Sequence, residues 1–132
     1  MSDQPRVSVV KYLNTVPLIW GMLKGEQRGK FDLDFTTPAL CAGAVRSGQA
    51  DVGIIPSIEY QRMDDAEIVG GVSIASKDRV KSVLLLSKAP IEKIRTVALD
   101  NSSRTSVALL DILMRRFYGR AVDSVPLAPD PD

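Results

Sequence analysis

The run "DNSSRTS", Asp100 to Ser106, is the densest polar cluster in the chain, set between the apolar stretch "TVALD" and the helical pattern of "VALLDILMRRFYG". Hydroxyls and an arginine at a helix start lie beside the unpaired N–H groups of its first turn, which is chemistry suited to holding a carboxylate or a phosphate. A helix needs only one N-cap, so the surplus of hydroxyls points to an anion site as well as a cap. The two roles are compatible, because exposed first-turn N–H groups are the physical basis of both. The run lacks the Gly-rich spacing of a nucleotide loop, and no Walker or dinucleotide fingerprint occurs, which argues against phosphate-rich cofactors.

Other polar residues fall at comparable places. In "KYLNTVPL", Asn14 and Thr15 sit between a short β-branched run and a helix start. In "VGIIPSIEY", Pro56 and Ser57 follow an apolar run and precede a short helical stretch. Ligands of open α/β sheets gather outside the carboxyl ends of strands, so both are suitable addresses. Read locally, Thr15 and Ser57 are also ordinary helix caps and Asn14 a turn residue. Glu59 is the nearest carboxylate to Ser57 and can serve as an acid or base, or simply complement a helix dipole. Ser82 in "VKSVLLLS" is a hydroxyl inside a strongly apolar run; if that run is a buried strand, Ser82 needs a partner, either backbone or a group across a cleft.

Composition narrows the chemistry further. The 132 residues contain no histidine, which removes His-based triads, the usual zinc sites and the commonest neutral-pH base. Seventeen basic against sixteen acidic side chains give a formal charge of +1, so no net field favours nucleic acid or an anionic membrane. The single Cys41, in the small-residue stretch "PALCAGAV", reads as a buried inert thiol. The N-terminal residues do not read as a signal peptide and no run approaches membrane-spanning length, so the expected location is the cytoplasm.

The elements that must position these residues alternate between strand and helix. "RVSVV" predicts a strand, and the helix after it carries Pro17 in its first turn and stops at Gly25. "FDLDFT" alternates as a half-buried strand, and a helix from Pro38 stops at Gly48. "ADVGIIPS" reads as a buried strand ending at Pro56, with a short helix in "IEYQRM". "EIVGGVSIAS" and "VKSVLLLS" are further apolar runs, the second long enough to cross between two lobes. "APIEKI" is a connector, "TVALD" a strand, and Arg104 to Tyr118 a helix closed by Gly119. The proline-rich tail "AVDSVPLAPDPD" is expected to end without completing another strand–helix unit. This alternation implies a mainly parallel α/β sheet with helices on its faces.

Together, "KYLNTVPL", "GQADVGIIPSIEY", "SIASKDRVKSVLLLS" and "TVALDNSSRTSVALLDILMRRFYG" resemble, in order and over most of the chain, the chorismate dehydratases of the futalosine route to menaquinone. The resemblance implies a type II periplasmic-binding-protein-like α/β fold, with three-layer α/β/α lobes flanking a cleft, acting in the cytoplasm without metal or organic cofactor. On that pattern, residues 1–89 form the N-terminal part of the first lobe with its crossover strand, and residues 95–132 begin the second. The family's chains are longer, so both lobes are expected to be incomplete here and to leave part of each core uncovered. The expected complement is self-association or a missing C-terminal half.

The implied reaction eliminates water from chorismate to give 3-[(1-carboxyvinyl)oxy]benzoate. Aromatisation supplies the driving force, and orientation and charge placement carry the catalysis. The resemblance places Asn14 and Ser82 at the reacting ring as catalytic groups, with Asn14 orienting the leaving hydroxyl. It assigns Thr15, Ser57, Ser103, Arg104, Thr105 and Ser106 to substrate binding, the last four on a carboxylate. The proton acceptor stays open between Glu59, water and a substrate carboxylate. A rival reading is a non-catalytic, small-anion-binding module of the same two-lobed type, or an inactive fragment.

Overall fold

A computed structural model describes residues 4–127, which divide between Ala75 and Ser76 into two compact units. The first unit runs β1 (Arg6–Val10), α1 (Val16–Lys24), β2 (Asp32–Thr36), α2 (Pro38–Arg46), β3 (Val52–Gly53) and α3 (Ser57–Tyr60). Its three strands are all parallel in the order β2-β1-β3, with Val7 opposite both Leu33 and Val52. Side chains alternate across a strand, so β1 serves two layers. Val7 and Val9 pack with Ile19, Leu18, Met22 and Leu23 of α1, while Ser8 points the other way, beside Cys41 of α2. The connections therefore leave to opposite faces of the sheet.

Helix α2 approaches closely because its inner residues are small: Cys41 and Ala42 are both fully buried. Gly53 belongs to the same fit, since a Cβ there would run into Val45 Cγ2. Cys41 is the expected inert thiol; burial pushes its pKa up, opposed in part by the neighbouring Ser8 hydroxyl. Gly48, at φ 68°, ends the α2 region in the left-handed conformation that suits glycine.

The amino edge of this sheet is held by Arg6 and Asp51. Asp51 accepts from the Arg6 backbone N–H at 2.8 Å, from Nε at 3.0 Å and from a terminal nitrogen at 2.6 Å. These bonds hold its carboxyl down at about 2, against an ordinary 3.8. A lowered native pKa stabilises the fold above the unfolded value and loses that contribution as pH falls toward the native one. Wild type should therefore lose stability between about pH 4 and 2 more steeply than Asp51→Asn, as read from denaturation midpoints across that window.

The second unit contains β4 (Thr96–Asp100), α4 (Arg104–Arg116) and β5 (Asp123–Leu127), with β4 and β5 parallel and Thr96 opposite Asp123. Ile94, Val97 and Met114 are its buried apolar residues among those described. Arg120 donates to the carbonyls of Ile91 and Ile94, at 3.5 and 3.0 Å, tying the short turn before β4 to the start of the return to β5. Arg115 and Arg116 lie in the last turn of α4, where a positive charge suits the helix dipole.

Several expectations need correction. The tail contributes a strand not expected from the sequence: β5 forms through Pro126, which is tolerated because β5 has only one described neighbour, and no helix follows it among the described residues. The rest of the tail, residues 128–132, lies outside the described residues. "ADVGIIPS" contributes only Val52 and Gly53 to the ladder and stands at an edge, with Val52 exposed. "EIVGGVSIAS" and "VKSVLLLS" form no strand, and Ser82 is exposed at a bend rather than buried in a crossover strand. An apolar run becomes a strand only when another strand takes its N–H and C=O groups, and none among the described residues pairs with residues 68–87. Ile68, Val69, Val72, Val80 and Leu84 are accordingly exposed, and Leu86 is 85% exposed.

Candidate functional site

In the first unit, β1 is followed by the turn Leu13–Thr15 and then α1, and β3 by Ile54–Pro56 and then α3. Strands β1 and β3 are neighbours, while the chain reaches β3 only after passing through β2 on the other side of β1. That reversal makes the carboxyl ends of β1 and β3 a topological switch point, where the connections diverge and leave a crevice. Asn14 and Ser57 stand at these two ends, and both are exposed.

Thr15 is 1% exposed and its Oγ1 has no hydrogen-bond partner. The capping expectation fails for it. Its φ of −82° and ψ of −26° are already helical, so its oxygen cannot turn back onto the first turn as an extended N-cap residue would. A buried hydroxyl without a partner is uncommon and calls for a water or ligand to complete it. Ser57 is not a cap either: Pro56 occupies that position and Ser57 is the first helical residue.

In the second unit, Asp100 closes the polar loop. Its Oδ1 accepts from the Ser102 N–H at 2.8 Å and its carbonyl from the Ser103 N–H at 3.2 Å. Ser103 is at the N-cap position of α4 but makes no side-chain capping bond; its Oγ instead meets Ser106 Oγ at 2.7 Å. The loop is thus pre-folded, with two hydroxyls paired beside the positive end of a 13-residue helix. Ser103, Arg104 and Ser106 are half-buried and Thr105 exposed.

Glu59 is fully buried. Its Oε2 accepts from Arg46 at 2.7 Å and its Oε1 from Arg62 at 3.0 Å. With both oxygens engaged and no exposed surface, it is an ion-pair residue rather than a proton acceptor for a bound molecule. Sequence reasoning missed both arginines. Arg62, three residues on, had a readable helical spacing; Arg46, on another helix, had none. A cavity of about 180 Å³ lined by Arg6, Ser8, Asp32, Asp34 and Gln49 lies toward the amino half of β1, away from the crevice. Among the described residues no three His, Cys, Asp or Glu side chains gather as a metal site, and no helix is long and apolar enough to cross a membrane.

These features define a parallel α/β protein whose polar loops lie at the carboxyl ends of β1, β3 and β4, the ligand-binding side of such sheets. A family model described as menaquinone biosynthesis matches residues 5–132. The chain belongs to that family and has a role in menaquinone biosynthesis, which bears out the resemblance carried by its four sequence blocks.

Proposed function

We propose that the protein is a chorismate dehydratase of the futalosine route, a cytoplasmic hydro-lyase built on a type II periplasmic-binding-protein-like fold. The observation that supports this reading is that Asn14 and Thr15 follow β1 and Ser57 follows β3, adjacent parallel strands at a switch point, in a chain of the menaquinone biosynthesis family. The unpartnered Thr15 hydroxyl supports it, since a bound polar molecule or an ordered water would complete that group.

In this reading Asn14, Thr15 and Ser57 of the first unit bind the substrate, with Asn14 orienting the leaving ring hydroxyl; in the second unit the resemblance gives a catalytic role to Ser82 and carboxylate binding to Ser103, Arg104, Thr105 and Ser106. With Glu59 committed to two arginines, the ring proton passes to water or to a substrate carboxylate. Loss of the ring hydroxyl and of that proton, together one water, makes the ring aromatic, so the groups chiefly orient and stabilise charge.

The test is incubation with chorismate, following the enolpyruvyl benzoate by mass spectrometry and ultraviolet absorbance against an enzyme-free control. Product supports the proposal. Binding without turnover favours a non-catalytic anion-binding module, and neither binding nor turnover overturns both readings for this chain. Arg104→Ala should weaken chorismate binding by about 10- to 100-fold through loss of a charge-assisted hydrogen bond, with the thermal midpoint nearly unchanged. Equal titration curves for variant and wild type would remove Arg104 from the site.

A further inference from the structure

We infer that Glu59, clamped between Arg46 and Arg62, is a positioning residue that sets the direction of Ser57 at the crevice. The inference rests on the proposed substrate contact by Ser57. Helix α3 has only four residues and no side-chain cap, far too short to hold its own geometry in water. No regular element follows it before the end of the first unit. Its orientation must come from tertiary contacts. One of them is the 2.7 Å bond from Arg46, thirteen residues back on α2, a helix packed against β1 and β3. Arg62 closes the other oxygen locally at 3.0 Å.

The geometry makes this anchor directional. Residues two apart lie about 200° around a helix, so fixing Glu59 inward turns Ser57 outward. Glu59 is accordingly fully buried and Ser57 exposed. Buried ionic groups add little net stability compared with apolar replacements, and their best-attested use is to specify one arrangement. Here the arrangement specified is the rotation of α3, and with it the direction of the Ser57 hydroxyl at the carboxyl end of β3.

The test compares wild type with Glu59→Gln in two assays. Hydrogen exchange should show residues 54–60 exchanging about tenfold faster in the variant, with α1 unchanged, as expected for local loosening. Turnover should show KM for chorismate raised about tenfold with kcat within about threefold, the signature of a lost binding contact. Equal exchange over residues 54–60, or an unchanged KM, overturns the inference. If Glu59→Gln does not fold, Arg62→Gln, which keeps the Arg46 bond, must show smaller increases of the same sign; their absence is equally decisive. Should wild type form no product, the functional reading fails, and the exchange comparison still decides whether Glu59 holds the loop.

Discussion

Replacing Arg46 and Arg62 together with methionine is expected to lower stability by about 3–5 kcal/mol at neutral pH, the loss typical when a buried charge loses its ion-pair partners. The carboxylate concerned, Glu59, has no exposed surface, whereas both guanidiniums are about half exposed. Water can therefore compensate the arginines but not Glu59. Methionine at all three positions should recover most of the loss, because apolar groups of similar volume replace a buried ion pair at little cost. Denaturant unfolding can be followed through Trp20, the chain's one tryptophan, which lies on α1 of the same unit. A double variant losing under about 1 kcal/mol, in the range of exposed ion pairs, would show that Glu59 is not desolvated.

Met114→Ala is expected to cost about 2–5 kcal/mol, the range for deleting a buried long apolar side chain. Met114 is 1% exposed, and the only other buried apolar residues described in its unit are Ile94 and Val97. With so few groups in that core, one truncation removes a large share of the burial holding α4. Loss of hydrogen-exchange protection along Arg104–Arg116 is the direct readout. Leu109→Ala, on the same helix but 44% exposed, should change protection far less, since exposed substitutions usually stay within about 0.5 kcal/mol. Similar losses for the two variants would place the packed face of α4 elsewhere.

Much of the local structure was legible because its determinants are local. The β-branched "RVSVV" and the alternation in "FDLDFT" form β1 and β2, and Pro17, Gly25, Pro38 and Gly48 bracket the first two helices where proline and glycine chemistry places them. The polar run at Asp100–Ser106 does turn into a helix, although the bonds that shape it come from Asp100 and a Ser103–Ser106 pair rather than from a cap. The errors fall where composition and partner disagree. "VKSVLLLS" has the content of a strand but no ladder to join among the described residues, Thr15 has the N-cap position of α1 but a helical backbone and no capping bond, and Ser57 lies one residue inside α3.

By itself the sequence determined the alternation of strands and helices, the absence of histidine chemistry, and the motifs that place the chain in its family. Each depends on residue type or short spacing. Tertiary structure alone decided that β1 lies between β2 and β3, that Arg46 reaches Glu59 and Arg6 reaches Asp51, and that Thr15 keeps a buried hydroxyl without a partner. Those depend on which distant segments meet when apolar faces are buried. A pairing 13 or 45 residues apart leaves no periodicity for a reader of the chain to find.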